Sequence, residues 1–314
     1  MTNQPPIRVI IGPTASGKAK LATSFAEDHG LEIISMDSMK VYRHMDIGTA
    51  KPTEQMRRRV KFHLIDIVEP TESFSVADWA SLAERISDEM LDRGASPLFV
   101  GGTALYYKAL TEGIFKGPGS DPGIRKRLRE EAAEIGVAAL HERLKAVDPL
   151  SASRILPGDL RRIERALEVF ALTGRPISSF QRQFGTKRTD RRFILLGLLP
   201  DRQLCYELCD KRVDRMLEAG LLREARALFE RYPVLGPTAS QAVGYKEFYR
   251  YFRGETDLNE AVEMVKKNTR HFARRQYMWF RKFNEVTWVP VAYGDTADSL
   301  LDRCRKALPE FFEF

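Results

Sequence analysis

The sequence has few cysteines and histidines and no long apolar run. Its 314 residues include three cysteines and five histidines, too few for a disulfide framework and without the spacing of a metal-binding cluster. No stretch approaches the run of about 18 apolar residues that a membrane helix requires, and the first eight residues lack the apolar core of a secretory signal. We therefore expect a cytoplasmic protein that does not associate with membranes.

Two of the cysteines, Cys205 and Cys209, are four residues apart in a segment with a helical pattern. They could face the same way, but no second pair of Cys or His lies nearby to complete a zinc site. We expect ordinary buried thiols. His63 lies beside an apolar run, and we expect a hydrogen-bonded residue there, either in the core or supporting a residue of the site, in preference to a catalyst.

Basic residues exceed acidic ones, giving a net charge of +7. One stretch has seven cations and no acid, and a second cluster lies near the middle of the chain. Most charge runs are solvated helix faces. The aromatic residues between the cations, and the lack of local acids, favour a nucleic-acid surface here. The first group is Lys266, Lys267, Arg270, Arg274, Arg275, Arg281 and Lys282, with Phe272, Tyr277, Trp279 and Phe280 among them; the second is Arg161, Arg162 and Arg165.

Short apolar runs alternate with segments of helical length, a pattern typical of a parallel sheet covered by helices on both faces. We therefore predict an α/β fold. The strands are predicted at residues 7–11, 32–35, 63–68, 97–100, 193–199 and 287–289. The helices are predicted at residues 18–28, 76–93, 124–135, 137–146, 160–172, 202–219, 222–232 and 258–280.

The alternation is interrupted between about residues 117 and 192, where the pattern is helical and highly charged. We predict a helical insertion domain at 117–192. The core would then comprise residues 1–116 and 193–314.

A phosphate-binding loop is predicted where an apolar strand is followed by a helix, at Gly12-Pro13-Thr14-Ala15-Ser16-Gly17-Lys18. Glycines let backbone amides approach a phosphate, the helix N-terminus adds partial positive charge, and the lysine reaches the outer oxygens. The next residue is normally Ser or Thr, whose hydroxyl ligates Mg²⁺, but here it is Ala19. Direct ligation of magnesium by the loop is therefore doubtful.

Two other segments follow predicted strands, where ligands bind in open α/β sheets. Asp37 could be a magnesium ligand, a helix cap or a general base. The sequence Gly101-Gly102-Thr103 combines two glycines with a hydroxyl and suits a second close approach to phosphate.

Seven strings together resemble the successive motifs of bacterial tRNA dimethylallyltransferases, in that family's order. The resemblance runs from about residue 7 to residue 290. The strings are GPTASGK, IISMDSMKVYRHMDIGTAKPT, FHLIDI, LFVGGTALYYKAL, RRIERALEV, TASQAVGYKE and NTRHFARRQYMWFR.

The resemblance implies a P-loop NTPase-like core with a helical insertion that contacts tRNA. It also implies transfer of a dimethylallyl group from dimethylallyl diphosphate to the exocyclic amine of the adenosine 3′ of the anticodon. Asp37 would act as the base, with Thr103 and Lys18 near the reacting centre. The diphosphate would be held by Gly12, Pro13, Thr14, Ala15, Ser16, Gly17, Lys18, Ala19 and Arg212. The tRNA anticodon stem-loop would contact Asp37, Ser38, Met39, Lys40, Thr103, Arg125, Arg161, Arg162, Ile163, Glu164, Arg165, Gln241, Ala242, Val243, Gly244, Tyr245, Lys246, Arg274, Arg275, Gln276, Trp279 and Arg281.

Two residues depart from the family pattern: Ala19 replaces a hydroxyl residue, and Lys40 stands where glutamine is expected. Mg²⁺ remains the expected cofactor, and a monomer is expected. A P-loop kinase is the main alternative, although Ala19 argues against it. An RNA-binding protein that has lost activity is a second alternative, and the presence of Lys18, Asp37 and Thr103 together argues against that.

Overall fold

A parallel sheet of six strands forms the centre of the protein. The computed structural model describes residues 5–114, 117–180 and 186–314. Every strand pair in the sheet is parallel, in the order β3-β2-β4-β1-β5-β6. The strands are Ile7–Ile11 (β1), Ile33–Met36 (β2), Phe62–His63 (β3), Leu98–Gly101 (β4), Phe193–Pro200 (β5) and Thr287–Val291 (β6).

Continuous apolar runs explain the central strands, since all five residues of β1 are buried and strands covered on both faces need no polar side. Helices surround them, and the predicted α/β class is confirmed. The helices of this part of the chain are Lys18–His29 (α1), Glu54–Arg59 (α2), Val76–Asp92 (α3), Ala104–Glu112 (α4), Arg202–Glu218 (α9), Leu221–Arg231 (α10), Tyr245–Phe252 (α11), Leu258–Phe280 (α12) and Ala297–Ala307 (α13).

A second compact unit comprises residues 111–188, and the first comprises residues 1–110 and 189–314. The sequence-based limits of 117 and 192 fall a few residues later, because the apolar pattern does not show that the last residues of α4 belong with the insertion. The core of the unit at residues 111–188 includes Leu140, Leu144, Ile163 and Leu167. Its helices are Pro122–Ile135 (α5), Val137–Val147 (α6), Pro149–Ala152 (α7) and Leu160–Thr173 (α8).

The predicted strand at 63–68 is wrong beyond His63. Leu64 and Asp66 have φ angles of 60° and 58°, which end the extended conformation. The Asp66 carboxylate pairs with Lys51 and, at 2.7 Å, with Arg57. Partners from an earlier segment thus hold this turn, and the local apolar pattern does not reveal them.

No helix in the described ranges combines the length and apolar character needed to cross a bilayer.

Candidate active site

Three loops at the carboxyl ends of adjacent strands form the candidate site. The phosphate loop follows β1, Asp37 follows β2, and Gly102 and Thr103 follow β4. Strand β4 pairs with both β1 and β2. The three loops therefore lie side by side at the sheet edge where α/β proteins bind ligands.

The phosphate loop turns sharply between β1 and α1. Gly12 is so closely packed that a Cβ atom there would lie 2.6 Å from the carbonyl oxygen of Leu198. Ala15 has φ 66° and Gly17 has φ 83°, so two left-handed residues precede the helix. The left-handed conformation is unusual for Ala15, and such strain concentrates at ligand sites. The loop and the N-terminus of α1 together suit an anion.

Lys18 supplies a positive charge at this loop. Its Nζ donates a hydrogen bond to the carbonyl oxygen of Pro13 at 3.0 Å. Burial lowers the pKa of Lys18 from 10.5 to about 7, with contributions from the charges of Arg212 and Lys40 and a smaller opposing effect of Asp37. A bound polyanion would raise this pKa again, because it stabilises the charged ammonium.

Arg212 and Lys40 share this environment. Burial lowers the pKa of each, and in both cases the negative charge of Asp37 opposes the effect. The charge of Arg212 also lowers the pKa of Lys40. One carboxylate thus faces three partly desolvated cations, and this excess of positive charge favours a multiply charged anion such as diphosphate.

Hydrogen bonds join the loop that follows β2, which contains Asp37, to the loop that follows β4, which contains Thr103. Oδ1 of Asp37 accepts from the backbone N–H of Met39 at 2.9 Å, and among the described residues Oδ2 accepts from none. Thr103 Oγ1 accepts from the N–H of Ser38 at 3.2 Å, and the Thr103 N–H donates to the carbonyl oxygen of Met36. Residues 38–41 form a turn and no helix. Asp37 therefore caps a turn with one oxygen, and its other oxygen has no hydrogen-bond donor among the described residues.

Gln276 lies between the two sides. Its Oε1 accepts from the N–H of Thr14 at 2.8 Å, and its Nε2 donates to the carbonyl oxygen of Gly102 at 2.8 Å. The motif predicts a tRNA contact for Gln276, but the side chain is only 6% exposed and both ends of its amide are used. We correct that prediction, because a buried amide with two protein partners is not free to contact RNA. The helical spacing of the sequence could have indicated that Gln276 is buried, since it lies on the same face of α12 as the buried Ala273 and Phe280.

The residues around the loop do not fit the usual magnesium site of a phosphate loop. Ala19 has a methyl group where a hydroxyl would ligate the ion. Within the described ranges, no group of three or more His, Cys, Asp or Glu side chains could hold a metal ion. We therefore assign no metal-dependent step to these residues.

Cys205 and Cys209 are buried free thiols, as predicted. Cys205 Sγ lies 4.0 Å from the carbonyl oxygen of Thr14. His63 Nε2 lies 2.6 Å from Glu32 Oε2, which agrees with the predicted hydrogen-bonded role.

In the helical insertion, ion pairs occupy most of the predicted tRNA-binding cations. Glu168, which is fully buried, accepts from Nε of Arg125 at 2.8 Å and from Nη1 of Arg165 at 2.6 Å. Burial raises the pKa of Glu168, but these hydrogen bonds more than offset that and lower it below its usual value. Arg125 and Arg165 therefore stabilise the insertion, and their predicted contacts with tRNA stay predictions.

Other predicted contacts of the insertion differ in exposure. Ile163 and Glu164 are buried, and Glu164 pairs with Arg129 at 2.6 Å. Buried side chains cannot reach RNA, so the predicted contacts of the Ile163 and Glu164 side chains are corrected. Arg161 and Arg162 are exposed, whereas Arg125 and Arg165 are half-buried, and Arg162 pairs with Asp159 at 3.3 Å.

The predicted tRNA-contact segment 241–246 also contains both buried and exposed residues. Ala242 and Tyr245 are buried, and the Tyr245 hydroxyl donates to Glu224 at 2.5 Å. Gly244 is also buried, so the side chains of this segment that remain candidates are the exposed Gln241 and the half-buried Val243 and Lys246.

The outer surface of α12 and the residues that follow it carry unpaired cations and aromatics. Lys266 pairs with Asp214 at 2.7 Å, and Arg270 pairs with Asp210, so the sequence argument that no acids balance this run holds for only part of it. In the described part of the chain, five of its seven cations form no ion pair: Lys267, Arg274, Arg275, Arg281 and Lys282. Trp279 is 42% exposed, and Lys282 lies 5.8 Å from its ring centre.

Comparisons with known proteins show the family to which the chain belongs. The family model described as IPP transferase matches residues 40–283, and that described as isopentenyl transferase matches residues 5–66. The tRNA dimethylallyltransferase of Geobacter metallireducens is 46% identical over 294 residues, which cover 93% of this chain and 94% of that protein. The tRNA dimethylallyltransferase of Acetivibrio thermocellus is 43% identical over 306 residues, covering 97% of this chain and 98% of that one.

A solved structure supports the same assignment. The crystal structure of the full-length tRNA isopentenylpyrophosphate transferase from Bacillus halodurans matches with a TM-score of 0.70 and 39% identity, covering 98% of this chain and 97% of that one. The chain therefore belongs to the IPP transferase family of tRNA dimethylallyltransferases.

Proposed function

We propose that this protein transfers a dimethylallyl group from dimethylallyl diphosphate to the exocyclic amine of the adenosine 3′ of the anticodon in tRNA. The observation that carries the proposal is the excess of positive charge beside the phosphate loop, where Lys18, Arg212 and Lys40 all interact with the carboxylate of Asp37. Such a group of charges supports the binding of a diphosphate beside a group that accepts a proton.

The reaction forms a bond between the adenine nitrogen and the allylic carbon, while the bond from that carbon to the diphosphate oxygen breaks. Negative charge develops on the leaving diphosphate, where Lys18, Arg212 and the amides at the start of α1 stabilise it. The free oxygen of Asp37 accepts the proton that the amine loses. Thr103, hydrogen-bonded to the backbone beside Asp37, holds the acceptor loop.

The adenine must leave its stack to enter this pocket, as in other enzymes that modify a base. We propose that the flanking nucleotides contact the exposed residues of the predicted set. The α12 surface offers Arg274, Arg275 and Trp279, the insertion offers Arg161 and Arg162, and the 241–246 segment offers Gln241. Exposed cations and an aromatic ring are the groups that bind a single strand. Since one chain supplies the whole donor pocket, we propose that the protein acts as a monomer.

The test is mass analysis of nucleosides from unmodified tRNA incubated with the protein and dimethylallyl diphosphate, with Lys18→Met as the matched control. We expect one adenosine per tRNA to gain a dimethylallyl group with the wild-type protein, and much less with the variant. Phosphorylation of a small acceptor from ATP, without a prenylated nucleoside, would favour the kinase alternative.

Residue 19 of the phosphate loop would supply no ligand to a magnesium ion, because Ala19 has a methyl group in place of a hydroxyl. Ala19→Thr would restore a hydroxyl at this position. We expect the variant to reach its half-maximal rate at a lower magnesium concentration. Superimposed titration curves for the two proteins would mean that residue 19 does not determine metal use.

A further inference from the structure

We propose that Gln276 is a positioning residue that sets the separation between the bound donor and the acceptor adenine. The inference rests on the proposed function and adds to it a residue that touches neither substrate. Gln276 joins the phosphate loop at Thr14 to the end of β4 at Gly102, with two hydrogen bonds of 2.8 Å.

Each partner of Gln276 belongs to a loop that contributes a side chain to the proposed site. On the donor side, Thr14 is inside the loop that ends at Lys18. On the acceptor side, Gly102 precedes Thr103, whose hydroxyl accepts from the N–H of Ser38, beside Asp37. The Gln276 side chain therefore joins the phosphate loop, which would hold the diphosphate, to the β4 loop, which is bonded to the segment that would hold the amine.

The close packing at Gly102 shows how little freedom this contact has. A Cβ atom at Gly102 would lie 2.5 Å from Nε2 of Gln276, 3.2 Å from the carbonyl oxygen of Gly12 and 3.5 Å from Nζ of Lys18. Only a glycine lets the β4 loop approach the phosphate loop and Gln276 this closely. The separation of the two sides is thus fixed by contact as well as by hydrogen bonds.

The amide of glutamine is chemically suited to this bridge. Its oxygen accepts from a backbone N–H on one side and its nitrogen donates to a backbone carbonyl on the other. A carboxylate could make only the first bond and an ammonium only the second. An apolar residue of the same length, such as methionine, could make neither.

The position of Gln276 on α12 also links the site to the proposed tRNA surface. Arg274 and Arg275 are exposed on the outer face of the helix, while Gln276 is buried on the inner face. A shift of α12 on tRNA binding would move the bridge with it. Placement of the reacting atoms matters greatly for rate, since a displacement of about 1 Å can cost about 100-fold.

The experiment compares Gln276→Met with wild type and with Thr269→Val. Thr269 is a matched control because it is buried on the same helix face and, among the described residues, its hydroxyl bonds only to the carbonyl oxygen of Val265 in its own helix. With donor and tRNA saturating, we expect the single-turnover rate of Gln276→Met to fall by about 10- to 100-fold. The equilibrium affinities for donor and for tRNA should change little, and Thr269→Val should react at the wild-type rate.

Two outcomes would overturn the proposal. An unchanged single-turnover rate in Gln276→Met would show that the bridge does not position the substrates. A loss of tRNA affinity with a normal rate at saturation would make Gln276 the tRNA contact that its motif suggests.

Amide hydrogen exchange provides a measurement that does not depend on activity. Exchange should increase in peptides that contain residues 12–18 and 101–103 in Gln276→Met, and in neither for Thr269→Val. If the wild-type protein forms no prenylated nucleoside, the proposed function fails, and exchange alone decides whether Gln276 holds the two segments together. Unchanged exchange in both peptides would overturn the bridge itself.

Discussion

The phosphate pocket and the helical insertion both gather basic side chains, but they balance them differently. In the insertion, the buried Glu168 is matched by Arg125 and Arg165, and hydrogen bonds lower the pKa of the carboxyl group. In the pocket, Lys18 and its basic neighbours share one carboxylate, and burial lowers the pKa of the lysine to about 7. A matched cluster stabilises a fold, whereas an unmatched one favours the binding of an anion.

The largest effect should come from removing the single carboxylate of the pocket. Asp37→Ala removes the proton acceptor but leaves the loop that holds the diphosphate. We expect the single-turnover rate to fall by about 10²–10⁴-fold, with donor affinity intact or higher because the local charge becomes more positive.

Lys18→Met provides the contrast, since it should weaken donor binding and slow the chemical step together. Both variants are measured by single-turnover kinetics with saturating tRNA and by equilibrium donor binding. A near-normal rate in Asp37→Ala would show that its carboxylate only caps the turn at Met39.

Removing a carboxylate from the insertion should affect stability instead. Glu168→Gln removes the buried carboxylate that Arg125 and Arg165 share, and leaves Arg125 only its longer pair with Glu164 at 3.6 Å among the described residues. We expect the free energy of unfolding to fall by about 3 kcal/mol, the lower end of the range for a broken buried pair, because both arginines are about a third exposed.

The matched control is Glu131→Gln, which breaks a surface pair with Arg143 and should cost at most about 1 kcal/mol. Urea unfolding of the full chain measures both variants. Equal losses would mean that the Glu168 cluster is no more important to the fold than a surface pair.

The α12 surface is a third region, where the cations are exposed and unpaired. Replacing Arg274 and Arg275 with glutamine should weaken tRNA binding and reduce its log–log salt slope by about one to two units, since about one counterion fewer is released for each lost phosphate contact.

Replacing Lys266 and Arg270 with glutamine removes the same charge from positions that are paired with Asp214 and Asp210. This control should change the salt slope less. If the two double variants give the same slope, net charge and not the unpaired surface governs tRNA binding.

The smallest effect should be the pH dependence of donor binding. Lys18 has a lowered pKa in the free protein, and the diphosphate favours its charged form, so binding takes up a proton. Affinity should be greatest below pH 7 and should fall as pH rises above about 7, by at most about tenfold per unit.

In Lys18→Arg the side chain stays charged above pH 7. The donor affinity of this variant should therefore lack the fall with pH that the titration of Lys18 causes. Subtracting the pH profile of donor affinity in Lys18→Arg from that of the wild type distinguishes the titration of Lys18 from the titration of the donor itself. Identical profiles would show that Lys18 is already fully charged in the free protein.

The sequence by itself determined the local features of this protein. The phosphate loop, β1 and the long helices α1 and α12 follow from apolar runs, periodicity and turn residues that are close together in the chain. The strand predicted at 63–68 failed because Lys51 and Arg57 hold Asp66 in a turn. That interaction depends on a different segment of the chain.

Only the tertiary structure decided which charged and polar residues are free to act. Lys266 and Arg270 look unpaired in the sequence, but their partners Asp214 and Asp210 lie more than 50 residues earlier, on α9. Gln276 looks like a surface residue of a basic motif, but its partners Thr14 and Gly102 lie at the ends of two strands. Electrostatic and hydrogen-bond energies depend on distance in space and on burial, and a linear pattern contains neither quantity.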